Sequence, residues 1–464
     1  MVAQKNIIKK IAVTVNTQSL SRGTQLKDEL STFLKDEIFP AIDAHFNSIQ
    51  KKDAIIRFEK IEIEIGVDVA DSNGDLKNLI LNELKKIINT ESITTNKVDT
   101  FKKTTVEKSE LDAFIYFLEF GILPWWCDEK QKFESKFFRK IKPHQLFLKN
   151  FKTLLTKPQI RKRLMCQFDD EQLAILVSAS NKLPKLNKEI TSKIPKKYRN
   201  VFWETVLYYL AFKEEQEFIA NLNKFPIKVT EKLLTIINKD LGIETPIAYR
   251  DFQKLNTKKK FTENSLSTNN TKEQMSFAEI FKVDSSLVTF NSTEIKEIVS
   301  SGILVKNAGL ILLHPFLKMF FKKLDFLTEN DIKPEKIDEA IHILHYLATG
   351  REQPAEHEVI FEKFICNIPL FRTINRQIFL TEAQKNAANQ LLKAVLEHWT
   401  TLKSNSIEIL QNEFLQRDGK LTITNQKQNL FLQRKTQDLL LDRLPWNIHL
   451  VKLPWHDKIL FVNW

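Results

Sequence analysis

Scarcity of glycine constrains this chain more than any other feature. Its 464 residues contain nine, at positions 23, 66, 74, 121, 242, 302, 309, 350 and 419, and the closest two stand seven apart. Left-handed and tightly turned backbone is glycine's province. A chain with so few must therefore build from long regular elements and take its corners from other residues. The spacing also removes chemistry: a phosphate-cradling loop needs glycines five apart, a dinucleotide fingerprint needs them two and three apart, and a nucleophile elbow needs them four apart. None can be written here. The only start on a zincin motif is His357-Glu358, and position 361 is Phe where the second His belongs. No catalytic residue is nominated, and neither a metal nor a cofactor is expected.

Cys127, Cys166 and Cys366 are odd in number and far apart, which suits neither a disulfide framework nor a CxxC zinc site. The longest apolar run, Gly309 to Phe321, is interrupted by His314, Pro315 and Lys318. It falls short of the ~20 residues of a membrane span. Met1 to Lys10 lacks a signal-peptide pattern, and the chain reads as soluble and cytoplasmic. Hydrophobic residues at 42% and charged residues at 28% support a packed core.

Charge is concentrated. Lys and Arg number 70 against 58 Asp and Glu, and twelve of the basic residues, with Glu134 as the one acid, lie between Lys130 and Arg163. Phe133, Phe137, Phe138, Phe147 and Phe151 are interleaved. Basic charge with aromatics is the composition of a single-strand nucleic-acid groove. Phe133, Phe137 and Ile141 recur at helical spacing, however, which is also what a buried stripe beneath a solvated basic face looks like. An acidic protein surface suits the 130–163 charge as well, and nucleic acid is the weaker reading.

Periodicity divides the chain. Ile7 to Val15 and the alternating Ile61, Ile63, Ile65, Val67 and Val69 read as strands around a helical stretch, Gln25 to Gln50, broken at Pro40; a helix over 76–88 follows. The expected units are a small α/β domain (1–90), a linker (91–109), a basic helical region (110–255), a polar linker (256–284) and a C-terminal helical-plus-sheet domain (285–464). Trp203, Val206, Leu207 and Leu210 share one helix face. In the last unit Ile337, Ile341, Leu344 and Ala348 form a stripe ended by Gly350, and Thr381 with Gln384 makes a capping box. Ala388, Leu391, Val395, Trp399 and Leu402 keep helical period behind it. A further helix should end at Gly419. Four short strand-like runs follow, at 421–423, 430–432, 449–451 and 459–462. The fold class is α+β, mostly helical, with a small N-terminal α/β unit and a C-terminal helical domain ending in short strands.

Glu339, His342 and His345 sit at i, i+3, i+6, and Glu-x-x-His occurs in di-iron bundles, though a second helix offering it is missing here. The apolar stripe places Glu339 and His342 toward solvent and His345 at its edge, so a metal role is set aside. His398-Trp399 and Asp442-Arg443 lie within hydrophobic periodicity or beside a Pro-Trp corner and read as structural.

Leu-Pro-Trp occurs three times, at 123–125, 444–446 and 453–455. With 14 prolines and 7 tryptophans, chance gives about 0.2 Pro-Trp pairs. Proline ends an element and the tryptophan that follows buries a large ring at the corner. The candidate docking motif is Leu123, Pro124, Trp125, Gly309, Pro315, Gly350, Trp399, Gly419, Pro445, Trp446, Pro454 and Trp455.

These corners, together with Asn307-Ala308-Gly309-Leu310, Pro315-Phe316-Leu317, Tyr346-Leu347-Ala348-Thr349-Gly350, Ile368-Pro369-Leu370, Phe414 through Leu421, Leu439 through Trp446 and Lys452 through Trp455, resemble the tape measure proteins of bacterial contractile injection systems, the phage-tail-like particles. Phe120 through Trp126 is similar to the family's second landmark, and the opening ninety residues look like its N-terminal piece. The resemblance covers about 60% of the chain by these motifs. It implies a non-enzymatic assembly protein that helps set inner-tube length, partnered by inner-tube, baseplate and spike proteins and resident first in the bacterial cytoplasm, then in the particle. A baseplate- or cap-associated scaffold without a measuring role, and a nucleic-acid-binding module, are the alternatives. No monotonous spacer is written, although 464 residues as one helix would span about 700 Å.

Overall fold

In the computed structural model, the described residues are 6–8, 11–14, 29–30, 32–49, 54–58, 61–65, 73–93, 101–127, 133, 135–141, 151–178, 199–212, 292–329, 331–403 and 406–464. They form a mostly helical α+β protein with two small sheets. Residues group into two units, one of 1–115 with 124–131 and one of 116–123 with 132–464. The expected linker over 256–284 lies outside the described residues.

The first unit holds β1 (Ala54–Phe58) antiparallel to β2 (Phe101–Thr105), from Ala54 opposite Thr105 to Phe58 opposite Phe101. Its helices include Phe39–Ile49 and Asn73–Ile93. Three expectations shift. Pro40 does not break the helical stretch: a π-type turn, Leu34–Ile38, precedes it and absorbs the missing donor. At 61–65 half-burial alternates as expected, yet these residues, like 11–14, join no ladder among the described residues. The strand lies a few residues earlier, where Ile55, Ile56 and Phe58 face a partner. Arg57 in β1 sets its guanidinium 3.4 Å from the centre of the Trp126 ring.

The second unit opens on the end of the helix Val106–Phe120 and continues through Ser135–Ile141, Pro158–Gln167, Asp170–Ser178 and Arg199–Phe212. Trp203, Val206, Leu207 and Leu210 are buried on one face, as their spacing predicts. Phe133, Phe137, Phe138 and Phe151 are buried too, with Phe137 edge-on to Phe138 and Phe138 edge-on to Phe168.

From Ser292 the elements enclose one continuous core. A wholly buried 3₁₀ turn, Ala308–Leu313, feeds the helix His314–Lys323, with Pro315 in its first turn. The helix Ile337–Thr349 stops at Gly350 in left-handed conformation, and Glu382–His398 starts at the Thr381–Gln384 capping box. That second helix ends before Trp399, and Leu402 lies in a separate 3₁₀ turn. Gly419 does not end a helix; it opens β4 (Gly419–Ile423), because the helical turns before it give out at Leu415.

Beside β4 runs β5 (Gln428–Leu432), and the sheet is completed by β3 (Ile303–Val305), β6 (Leu450–Val451) and β7 (Leu460–Asn463) in the order β3-β4-β5-β7-β6. All neighbours are antiparallel except β5 and β7, which run parallel. Register aligns Ile303, Leu421, Leu430 and Val462 in one row, all buried against the helices.

Candidate functional site

Polar chemistry inside the second unit is organised by enclosed ion pairs. Arg163 is the last cation of the basic run, and its side chain is fully enclosed. Its Nε donates to Glu356 Oε2 at 3.0 Å, and its Nη2 donates to Glu356 Oε1 at 3.3 Å and to the Phe371 carbonyl at 2.7 Å. Nη1 reaches the carbonyls of Leu118 and Glu119 at 2.5 and 2.9 Å. On the other side Lys363, also fully enclosed, donates to Glu356 Oε1 at 2.9 Å and to the Leu370 carbonyl at 3.0 Å. Two cations thus share one carboxylate, and four main-chain carbonyls complete their donors. Burial pulls the Lys363 ammonium below its ordinary range, against the pull of Glu356. Gly121 leaves room for the pair, since a β-carbon there would meet the Glu356 carboxylate.

The same seam is sewn by Gln167, which accepts from the Glu356 N–H at 2.9 Å and donates to the Ile374 carbonyl at 2.9 Å. Sequence reasoning missed this cluster. One signal was present: Arg163 falls between Ile160 and Leu164 on an apolar helix face, where a solvated cation does not belong.

Two further enclosed groups hold the core. Asn307, in left-handed backbone, donates to Glu362 Oε1 at 2.7 Å and lies 3.3 Å from His345 Nδ1. Arg417 donates to Asp438 at 2.5 Å, and that carboxylate also accepts from the Trp464 indole at 3.0 Å and the Lys435 N–H at 2.7 Å. Glu339, His342 and His345 do not behave as their helix phase suggests. Both histidines are buried: His342 is covered by the 370–376 segment, whose Asn375 carbonyl lies 2.9 Å from its Nε2, and His345 lies against Asn307 and Glu362. Desolvation keeps His342 neutral-leaning. Glu339 is held by Lys336 at 2.8 Å and Gln384 at 3.0 Å. No metal-binding group is found among the described residues. Burial raises both the Cys166 thiol, to about 12, and the Cys366 thiol, which removes nucleophilic character.

The docking candidates divide by exposure. Trp399 is buried edge-on to Phe414, its indole donating to the Leu440 carbonyl at 3.3 Å. Trp455 is buried, stacked on Phe321, and donates to the Ile365 carbonyl at 2.6 Å. Trp446 is half-buried against Phe316 and donates to the Leu312 carbonyl at 3.1 Å. Gly309 and Gly419 are brought together, for the Ala308 N–H bonds the Arg417 carbonyl at 2.8 Å. Pro315, Gly350, Pro445 and Pro454 are exposed, while Leu123 and Trp125 are half-buried and Pro124 is buried. Pro124 and Trp125 group with the first unit. Both C-terminal corners, and Trp399 with them, therefore turn their indole N–H groups inward.

Within the basic segment, Arg161 is buried in an ion pair with Glu204 at 2.9 Å, and Arg163 is enclosed as above. Arg139 and Lys157 are exposed and paired with Glu171 and Glu119. The segment is thus not the uniformly solvated cationic face its composition suggests, and the buried phenylalanines named above offer no ring to a base. No helix among the described residues is long and apolar enough to cross a membrane.

What faces outward is the far side of the five-stranded sheet. Register places Leu304, Lys420, Phe431 and Asn463 in one row and Thr422, Asn429, Phe461 and Leu450 in the next. Among known families, the one described as contractile injection system tape measure protein matches residues 5–464. No curated protein and no solved structure matches the chain.

Proposed function

The chain belongs to the contractile injection system tape measure protein family, and from that premise we propose that it acts during particle assembly to help set the length of the inner tube. The observation that carries the reading is the extent of the match, which includes both the N-terminal piece and the packed C-terminal body rather than one motif. The family is a structural one and not a class of enzyme. Its members work with tube and other particle components, and here the inner tube, baseplate and spike are the proposed partners. The chain would meet them in the bacterial cytoplasm and remain in the finished particle.

A folded body and a ruler make different physical demands. The C-terminal body is sealed by enclosed ion pairs and indole anchors, so we assign it the anchoring role and place measurement in the chain before it. Lys152 and Lys162 keep part of the basic segment's charge outside, where an acidic protein surface would meet it; nucleic acid would find phosphate contacts there, while the rings of Phe133, Phe137, Phe138 and Phe151 are buried.

Insertions and deletions within 256–274, followed by electron microscopy of tubes, test the reading. An insertion of 30 residues should lengthen the tube by about 45 Å if the added chain is helical and by about 100 Å if it is extended. Unchanged length with failed assembly would instead support a baseplate or cap scaffold, the reading favoured by the packed C-terminal body.

A further inference from the structure

The outer face of the C-terminal sheet presents five large apolar side chains to solvent: Leu304 (63% exposed), Phe431 (46%), Leu450 (55%), Ile459 (47%) and Phe461 (38%). They come from four strands and the loop entering β7, and the register sets Phe461 directly opposite Leu450. Contiguous exposed apolar surface on a folded protein marks contact with another molecule. The alternative explanation, a sheet under strain or poorly packed, is not available, since the opposite face is a fully buried row.

Charge identifies the occupant. Lys420 lies within the face, with its stem against Gly302. Lys427 enters β5 and Lys452 leaves β6, each at the outward phase of its strand, and Lys458 precedes β7. None of these four makes an ion pair with a carboxylate among the described residues; Lys452 and Lys458 donate to the carbonyls of Asp457 and Asn425. Against them stand Asp457 and Asp418, and the latter is held by Lys306 at 2.8 Å. The apolar centre therefore has a cationic margin. A second copy of this chain would bring lysines against lysines across a twofold contact, which like-charge juxtaposition disfavours.

We propose that this face is a docking surface for a structural subunit of the particle that offers an apolar patch edged with carboxylates. The inference rests on the reading of the chain as an assembly component and adds the place and chemistry of contact. Exposed apolar groups supply the affinity, and the lysines supply register and encounter rate.

The test uses the full chain in assembling particles, with a photoreactive benzophenone side chain introduced at position 431 or 461 and, as a control, at the exposed Leu439. Crosslinks from 431 and 461, but not 439, to a single particle subunit at an apolar segment flanked by Asp or Glu are the expected result. Combined Lys427→Glu and Lys452→Glu should lower that crosslink yield at least tenfold while the chain stays folded by circular dichroism. Incorporation of the chain without crosslinks at either position would overturn the proposal, and so would crosslinks to a second copy of the chain. Particles that form at normal tube length without the chain would instead sink the assembly reading on which the proposal stands.

Discussion

Arg163 and Glu356, 193 residues apart in the chain, form a 3.0 Å ion pair with neither side chain open to solvent. The pair fastens the end of the basic segment to the C-terminal helices, and Lys363 makes the carboxylate indispensable. Glu356→Ala leaves two enclosed cations without a counter-charge, whereas Arg163→Met leaves the Glu356–Lys363 pair intact. Breaking a buried pair by removing one partner costs about 3–5 kcal/mol. Glu356→Ala should fall at the top of that range and Arg163→Met well below it. Urea unfolding of the full chain, followed by tryptophan fluorescence, measures both; equal stabilities for Glu356→Ala and the native chain would refute the role given to the cluster.

Acid should loosen the same region. Burial depresses His357 from 6.5 to about 4, and its ring meets Phe117 edge-on at 5.8 Å. Between pH 6.5 and 4 the unfolded imidazole binds a proton that the folded one refuses, so stability falls as pH falls through that window. The loss from this residue is about 3 kcal/mol at the acid end. Glu358, which burial pushes up but the Ala355 N–H and His357 together hold below its ordinary value, works in the same direction as it protonates. Its contribution is present above its unfolded value and lost as pH drops through the folded one. Denaturation midpoints from pH 7 to 4 should decline steeply for the native chain and less steeply for His357→Phe.

Glycine positions differ in kind. A β-carbon at Gly309 would overlap the Phe414 carbonyl, a backbone atom that cannot step aside. At Gly350 the nearest atoms lie 3.8 Å away, and the only objection to a side chain is φ of +67°. Gly309→Ala should cost about 3 kcal/mol or more, and Gly350→Ala about 1 kcal/mol. Thermal unfolding of the two variants should rank them in that order.

The tryptophan corners should also separate. Trp455→Ala removes a buried stacked ring and should cost about 4 kcal/mol, while Trp455→Phe keeps most of the packing and forfeits an indole hydrogen bond worth about 1 kcal/mol. Trp446 is only half-buried, so Trp446→Ala should cost about 1–2 kcal/mol. If Trp446→Ala proves as damaging as Trp455→Ala, the graded anchoring inferred from burial is wrong.

Local pattern carried much of this architecture. The stripe from Ile337 to Ala348, the Thr381–Gln384 box, the face of Trp203 through Leu210 and the four terminal strand runs each follow from spacing of a few residues, because helix and strand periods are local properties of the backbone. The resemblance of the Leu-Pro-Trp corners and their neighbours to one family was legible on the same scale.

Other features had no local trace. His342 sits at a solvent phase of its helix but is covered by residues more than thirty positions later. Gly419 follows helical turns yet begins a strand, since its pairing with Leu432 and Val305 is a contact across the chain.

By itself the sequence determined the stripe and Gly350 stop of the helix Ile337–Thr349, the capping box that opens Glu382–His398, and which family the chain resembles. Only tertiary structure decided that Arg163 and Lys363 share Glu356, that β7 runs parallel beside β5, and that five apolar side chains with a lysine margin remain on one sheet face. The physical reason is range: periodicity and capping act over one or two turns, whereas ion pairing in a dry interior and strand register depend on segments that meet only once the core has closed.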